Sequence, residues 1–277
     1  MDGCLFQRTP FFRAHPLVQS CSVTRQAMQT ESVPPHPTLS DYYASPAERE
    51  RFVRGLFDET APWYEKINVL LSFGSGSWYR RDALRRAGYT KGTRLLDVAT
   101  GTGVTARAAI ALGERKDVIG LDPSIGMLLA GRREMRVSGV QAFGEHLPFR
   151  SETFGMMSIG YALRHMSDLK AAFTEHIRVL KPGGRIVILE ITPPKSKLGF
   201  ALMRAYMNTL APAVARILSR NDETVTLMKY YWDTIRECVP PDTILTALRA
   251  AGFEDVKRSV SYGVMTEYTG IRPAEKM

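Results

Sequence analysis

Short apolar runs alternate with longer amphipathic stretches through the middle of the chain. Residues 94–99, 118–122, 156–161 and 185–191 read as buried strands, with a weaker fifth over 139–143. Between them, 104–112, 124–136 and 169–179 have helical spacing, and Lys181-Pro182-Gly183-Gly184 marks a sharp turn before the last of these strands. Strands alternating with helices predict a parallel sheet covered on both faces. Three helices are predicted ahead of it, at 45–57, 63–72 and 78–87; the first has Ser45 as N-cap, Pro46 in the first turn and Glu48 and Glu50 near the positive dipole end. After Pro193-Pro194 the alternation stops. Residues 196–238 are helical and rich in Met, Leu, Ala and Tyr, 241–251 form a helix stopped by Gly252, and 256–261 and 264–270 read as two final strands joined at Tyr262-Gly263.

Residues 1–45 hold Pro10, Pro16, Pro34, Pro35 and Pro37 without sustained periodicity, so they are expected to form a flexible or disordered tail, as are 273–277. Arg8, Arg13 and Arg25 against Asp2 faintly match an organellar transit peptide, but Pro10 and Pro16 oppose its amphipathic helix. A flexible tail, or a true start at Met28, is expected over a targeting signal in 1–28. The rest divides into N-terminal helices (46–88), a cofactor-binding core (92–193), a helical lid insertion (196–240) and a final helix with two strands (241–272).

Composition narrows the classes. Three cysteines in 277 residues, with no C-x-x-C, argue against a disulfide framework or a zinc site, and the five histidines lack H-x-x-x-H spacing; no metal is expected, and a cytoplasmic, reducing setting fits. The net charge of +9 reads as a solvated basic surface, because no run of Lys and Arg exceeds two. Residues 198–218 are apolar but contain Arg204, Asn208, Pro212 and Arg216, a poor membrane span; they read as a lid over an apolar pocket or as an ordinary core helix. Arg80, Arg81, Arg85 and Arg86 put a basic patch on one helix, either a solvated face or a contact for anionic lipid.

The chemistry concentrates at Asp97-Val98-Ala99-Thr100-Gly101-Thr102-Gly103. Gly101 and Gly103 let backbone approach a ligand, and the turn opens a helix at Thr105 whose free N–H groups face it. The third glycine of G-x-G-x-x-G is replaced by Ala106, which makes a nicotinamide cofactor less suitable. Asp97 suits a ligand carrying positive charge, such as the ammonium of a methionine moiety, and Asp122, about twenty residues beyond the turn, can pair with ribose hydroxyls.

These residues carry a resemblance. The stretch 95–103 resembles motif I of the class I S-adenosylmethionine-dependent methyltransferases, Asp122 their ribose-binding acid, 144–149 the segment near the adenine and 178–184 the turn before their fifth strand. Phe57-Asp58, Tyr64-Glu65-Lys66-Ile67-Asn68, Ser72-Phe73-Gly74, Ala162-Leu163-Arg164-His165, Asn221-Asp222 and Gly252-Phe253 are similar to the menaquinone and ubiquinone biosynthesis C-methyltransferases; the likeness covers about residues 50–272. It implies an α/β, Rossmann-like, doubly wound, mostly parallel seven-stranded sheet. It also implies S-adenosylmethionine as cofactor and methylation of a quinol or phenolic ring carbon.

By the resemblance, Asp97, Ala99, Gly101, Thr102, Gly103 and Thr105 bind the cofactor from the first turn. Asp122, Pro123, Met127, Phe143, Gly144, Glu145 and Gly160 complete that set. Arg164, His165 and Tyr64 are the catalytic candidates: Arg164 to stabilise a phenolate or orient water, His165 to accept a proton near neutral pH. Asn68, Tyr161 and Tyr206 are expected against the substrate. Plainer roles are a surface ion pair for Arg164, a helix-capping or core position for His165 and packing for Tyr64. Val104 stands where the family commonly has Asp, His165 where it has Asn, Phe143 where a polar residue is frequent, and the stretch from Asn221-Asp222 to Ile235 is about two residues longer than the family pattern. Methylation of oxygen or nitrogen of another small molecule, and a non-catalytic methyltransferase-fold subunit, remain the alternatives. The expected partners are a small apolar phenolic or quinol substrate, a peripheral membrane contact and a second copy in a homodimer; nucleic acid is not expected.

Overall fold

The computed structural model describes residues 32–274 apart from 73, 136 and 137. Seven strands form one sheet in the order β3-β2-β1-β4-β5-β7-β6. They are β1 (Leu95–Val98), β2 (Val118–Asp122), β3 (Ser138–Gln141), β4 (Phe154–Gly160), β5 (Leu180–Ile191), β6 (Glu254–Ser261) and β7 (Met265–Ile271). Neighbours pair in parallel except at β7, which runs antiparallel to both β5 and β6. The chain winds outward from β1 through β2 to β3, then returns to β4 beside β1. A crevice therefore opens at the carboxyl ends of β1 and β4, where the winding reverses.

The inner strands β1, β2 and β4, with β5 from Ile186 to Leu189, are apolar on both faces because both are covered, while the edge strands β3 and β6 are polar and largely exposed. Leu96, Val98, Ile119, Leu121, Ile159 and Ile188 pack with α5 (Leu169–Val179) and α9 (Pro241–Ala250). Leu95, Val118, Met156, Val187 and Leu189 face the other way, against α2 (Ser75–Arg86) and α3 (Val104–Ile110). Helix α4 (Ile125–Met135) follows β2.

The first two expected helices are one. α1 runs unbroken over Pro46–Leu71 with Pro62 inside it. Proline lacks the N–H that would bond Asp58 O. That carbonyl instead faces Gly126 of α4, where a Cβ would stand 2.7 Å from it; the glycine lets the two helices touch at the gap in the ladder. The Asp58 carboxylate then caps α4, accepting from Ser124 Oγ at 2.6 Å and Gly126 N at 2.8 Å.

The expected flexible tail through residue 45 is corrected for 32–45, which pack on the domain; 1–31 and 275–277 lie outside the described residues. Val33 N donates to Asp168 Oδ1 and Val33 O accepts from Leu169 N, so the segment caps α5. Pro35 O accepts from Val239 N, and Tyr42 donates to Asp233. Tyr42 and Tyr43 join α1, α7 (Ala211–Ser219) and α8 (Asp222–Arg236) in a separate apolar cluster. These prolines deny helix but permit an extended strap, and its apolar residues supply the burial that holds it.

Residues 197–219 form one helical rod: α6 (Lys197–Ala205), a π-helical turn over Tyr206–Leu210, and α7. No helix among the described residues is long and apolar enough to cross a membrane.

Candidate active site

The turn after β1 is built from left-handed backbone: Ala99, Gly101 and Gly103 have φ of 52°, 56° and 86°. Ala99 accepts a conformation costing an L-residue about 1–2 kcal/mol. A Cβ on Gly101 would meet no atom within 4 Å, so that side of the turn faces open space. Asp122 ends β2 across from it. Its carboxylate accepts from Gly101 N at 2.7 Å and Ser124 N at 2.9 Å, and so ties the two turns together. Burial raises its pKa to about 7, partly opposed by the Ser124 and Gly101 amides.

A cavity of about 830 Å³, its open mouth included, begins at this turn and is within the usual size of small-molecule sites. One end is lined by Val98, Ala99, Gly101, Asp122, Pro123, Met127, Phe143, Gly144 and Glu145. The other is lined by Phe57, Tyr64, Tyr161, His165 and Tyr231, with Arg49 on the wall. Gly160 lies between; a Cβ there would sit 2.6 Å from Thr105 Oγ1, so no larger residue fits behind this wall. The aromatic end is cross-linked: His165 stacks on Tyr230 and Tyr231 at 5.5 and 5.7 Å, Phe57 meets the edge of His165 at 5.3 Å, and Tyr231 donates to Tyr64 Oη at 2.9 Å.

Several sequence expectations are corrected by this geometry. Asp97 does not line the cavity: it is buried beneath the turn, where its carboxylate accepts the Thr100 and Ser158 hydroxyls at 2.7 Å each. Burial raises its pKa to about 6, with those hydroxyls pulling the other way. Thr102, Gly103 and Thr105 also lie behind the wall; Thr105 accepts from Arg80 Nε at 3.2 Å. Arg164 is buried behind Tyr231, its guanidinium 5.2 Å from that ring, donating to Glu190 at 2.5 Å and Thr234 at 3.2 Å. Its charge is thus committed to a carboxylate away from the cavity surface. His165 does line the cavity, but burial first, and the charge of Arg164 next, lower its pKa well below the ordinary value, which makes it a weak base.

Asn68 and Tyr206 are not on the wall either; Tyr206 donates to Leu71 O at 2.7 Å and so pins the π-turn to the end of α1. No residue of 196–219 lines the cavity, so the lid expectation fails for this rod; Tyr231 of α8 is what reaches inward. The basic patch is divided too. Arg80 turns inward over the Tyr161 ring at 4.6 Å, and Arg86 pairs with Asp82 and Glu267.

Sequence reasoning missed the share of α1 in the wall: Arg49, Glu50, Val53 and Arg54 all line the cavity. One signal was available. Arg49 stands four residues before Val53 and seven before Leu56, on the apolar stripe of the helix, where a charge is out of place.

The model of the ubiE/COQ5 methyltransferase family matches residues 45–272. Similar curated proteins include the demethylmenaquinone methyltransferase of Clavibacter sepedonicus, 35% identical over 227 residues, covering 80% of this chain and 91% of that one. The ubiquinone/menaquinone biosynthesis C-methyltransferase UbiE of Geobacter sulfurreducens is 33% identical over 232 residues, covering 80% and 89%. Among solved structures, an S-adenosylmethionine-dependent methyltransferase of Thermotoga maritima superposes with a TM-score of 0.56 at 18% identity, covering 79% of this chain and 99% of that one. Phosphoethanolamine N-methyltransferase 2 of Haemonchus contortus, in complex with S-adenosyl-L-methionine, gives 0.57 at 17% identity over 83% of this chain and 60% of its own length. At such identities the structural likeness speaks for the fold.

Proposed function

The chain belongs to the ubiE/COQ5 methyltransferase family, and we propose that it moves a methyl group from S-adenosylmethionine to a ring carbon of a quinol or related phenol. One observation carries the reading. A single cavity joins a nucleoside-shaped end, with open backbone at Gly101 and the Asp122 carboxylate, to an aromatic end walled by Phe57, Tyr64, His165 and Tyr231.

The first end fits the cofactor. Asp122 keeps acceptor capacity beyond the two amides it holds, because a carboxylate offers about four lone-pair sites for ribose hydroxyls. Phe143 and Met127 supply flat apolar surface for a base, and the left-handed turn presents backbone rather than side chains. When bound, the cofactor supplies an electrophilic methyl on a sulfonium. The residues of this chain orient and desolvate. The aromatic wall excludes water and holds a planar ring by its faces, and the Tyr231–Tyr64 hydrogen bond fixes two of its members. His165 acts here as a neutral flat surface, and Arg164 with Glu190 holds Tyr231 from behind.

Isothermal titration calorimetry tests the first half: the protein should bind S-adenosylmethionine, and absence of binding refutes the reading. Complementation of a strain lacking the quinone C-methyltransferase tests the second; failure there, with activity on a soluble phenol or amine, moves the substrate elsewhere. Exposed Leu198, Leu202, Leu210 and Ile217 on the 197–219 rod, on a chain of net charge +9, support a peripheral contact with anionic membrane. Co-sedimentation with phosphatidylglycerol vesicles, weakened in Leu198→Ser/Leu202→Ser, checks this. A homodimer built on the same face would instead lose its second copy in that variant, as read by light scattering.

A further inference from the structure

Among the charged side chains around the cavity, Arg49 is the anomaly. It is 6% exposed and lines the cavity, yet it forms no ion pair with a carboxylate among the described residues. Arg164, the other buried arginine nearby, has Glu190. An arginine keeps its proton at any ordinary pH, so a buried one without a counter-charge pays a desolvation cost that needs compensation.

Its surroundings are arranged to hold the cation without cancelling it. Arg49 Nη2 donates to Arg164 O at 3.1 Å and lies 3.2 Å from His36 Nε2. His36 Nδ1 lies 2.7 Å from Pro37 O, a group that only accepts, so the proton of the ring sits on Nδ1 and the Nε2 lone pair faces Arg49. The Tyr43 and Tyr230 hydroxyls stand beside Arg49 and each other, but neutral phenols do not balance its charge. Arg49 Nε is buried as well, with no carboxylate of the described residues paired to it. Glu50 and Arg54 also line the cavity, but both are exposed.

We propose that Arg49, aimed by His36 and the Arg164 carbonyl, is the receptor for a phenolate oxygen of the methyl acceptor. The inference rests on the methyltransferase reading for the identity of the ligand, but the subsite is defined by this chain alone. It answers what Arg164 was expected to do: among the described residues lining the cavity, Arg49 is the buried cation without a carboxylate partner. A phenolate placed against it supplies the missing counter-charge, and a planar ring bearing that oxygen lies against the Phe57–His165–Tyr231 wall. Ionisation of the acceptor hydroxyl is then favoured by fixed charge rather than by a nearby base, which agrees with His165 being held neutral. His36 is a positioning residue, since it reaches the substrate only through Arg49.

The test uses 4-nitrophenol, whose phenolate is coloured and whose phenol is not, titrated by absorbance in the presence of excess full-length protein saturated with S-adenosylhomocysteine. Bound probe should ionise at least about one pH unit below free probe, a tenfold bias towards phenolate. Arg49→Met should abolish the shift while S-adenosylhomocysteine affinity, by calorimetry, stays within about twofold. Arg49→Lys should restore part of it, and keeps the experiment open if the methionine variant folds poorly. His36→Leu should shrink the shift with Arg49 still present. 4-Nitroanisole, which cannot ionise, should bind wild type and Arg49→Met alike. No shift in wild type, or an equal shift in Arg49→Met, overturns the proposal. A shift without S-adenosylhomocysteine binding would leave the anion subsite standing and remove the methyltransferase reading; binding without a shift does the reverse.

Discussion

Lowering the pH from about 8 to about 6 should weaken binding of S-adenosylhomocysteine by about tenfold, through Asp122. In the free protein burial holds this carboxyl at about 7. Ribose hydroxyls donate to the ionised form, so the ligand binds the deprotonated carboxylate and keeps it ionised. At pH 8 about nine-tenths of the free protein is already in that form; at pH 6 about one-tenth is, and binding must expel the proton first. The ratio is about tenfold, or about 1.4 kcal/mol. Asp97, raised to about 6 and out of contact with the cavity, adds at most about twofold. His165, the cavity residue whose ordinary value lies in this range, is held well below it by burial and by the charge of Arg164. Calorimetry in buffers of different ionisation heat reads both quantities. The dissociation constant should rise as pH falls, and binding should release about 0.9 proton at pH 6 against about 0.1 at pH 8. Asp122→Asn should bind weakly with a flat profile. A wild-type affinity constant across the range, with no proton release, would refute the assignment of Asp122 as the ribose acceptor.

Asp58→Ala removes the acceptor for Ser124 Oγ and Gly126 N and should cost about 3 kcal/mol in urea unfolding, with a loss of S-adenosylhomocysteine affinity because Ser124 borders Asp122. An unchanged midpoint would show that α1 is not anchored there. Arg164→Met and Glu190→Leu should each destabilise by about 3–5 kcal/mol, whereas the double variant should recover much of that loss; additive costs would contradict the isolated buried pair. Acid should destabilise the fold between about pH 6 and pH 4, by about 1 kcal/mol per unit. Burial lowers His36 and His176 to about 4, and His165 further, so the unfolded chain takes up protons below its ordinary histidine value of 6.5 that the folded one refuses. Asp97 and Asp122, raised to about 6 and about 7, act in the opposite direction and offset about two of the three. A urea midpoint that rises from pH 6 to pH 5 would reverse this balance.

The sheet was readable in advance because its strands are short apolar runs closed by Gly-rich turns, and both signals are local. The family followed from the same segments. What escaped depended on partners distant in sequence. Helical spacing predicts a first helix ending at 57 and a second beginning at 63, whereas α1 runs on through Pro62, and the Asp58 carbonyl left without its N–H meets Gly126, sixty-eight positions away. The sequence suggests Arg164 as a phenolate stabiliser or a surface ion pair; the pair exists but is buried, with Glu190 twenty-six positions later. Asn68 lies one turn beyond the cavity-lining Tyr64, and Tyr206 belongs to a rod that packs away from the cavity; where an element stops short of a site depends on tertiary packing. The prolines of 32–37 excluded helix correctly but said nothing about the extended strap.

That strap bears on where the chain is cut for study. The family match begins at residue 45, and a fragment trimmed to 45–272 would look complete by sequence. It would discard the acceptor that fixes the Arg49 guanidinium, the Val33 amide and carbonyl that terminate α5, and the Pro35 carbonyl that holds Val239. The three contacts sit on different elements, so the strap works as a seam rather than a tail. A crystallisation or screening variant therefore belongs upstream of residue 32, and an affinity tag is better carried at the other terminus.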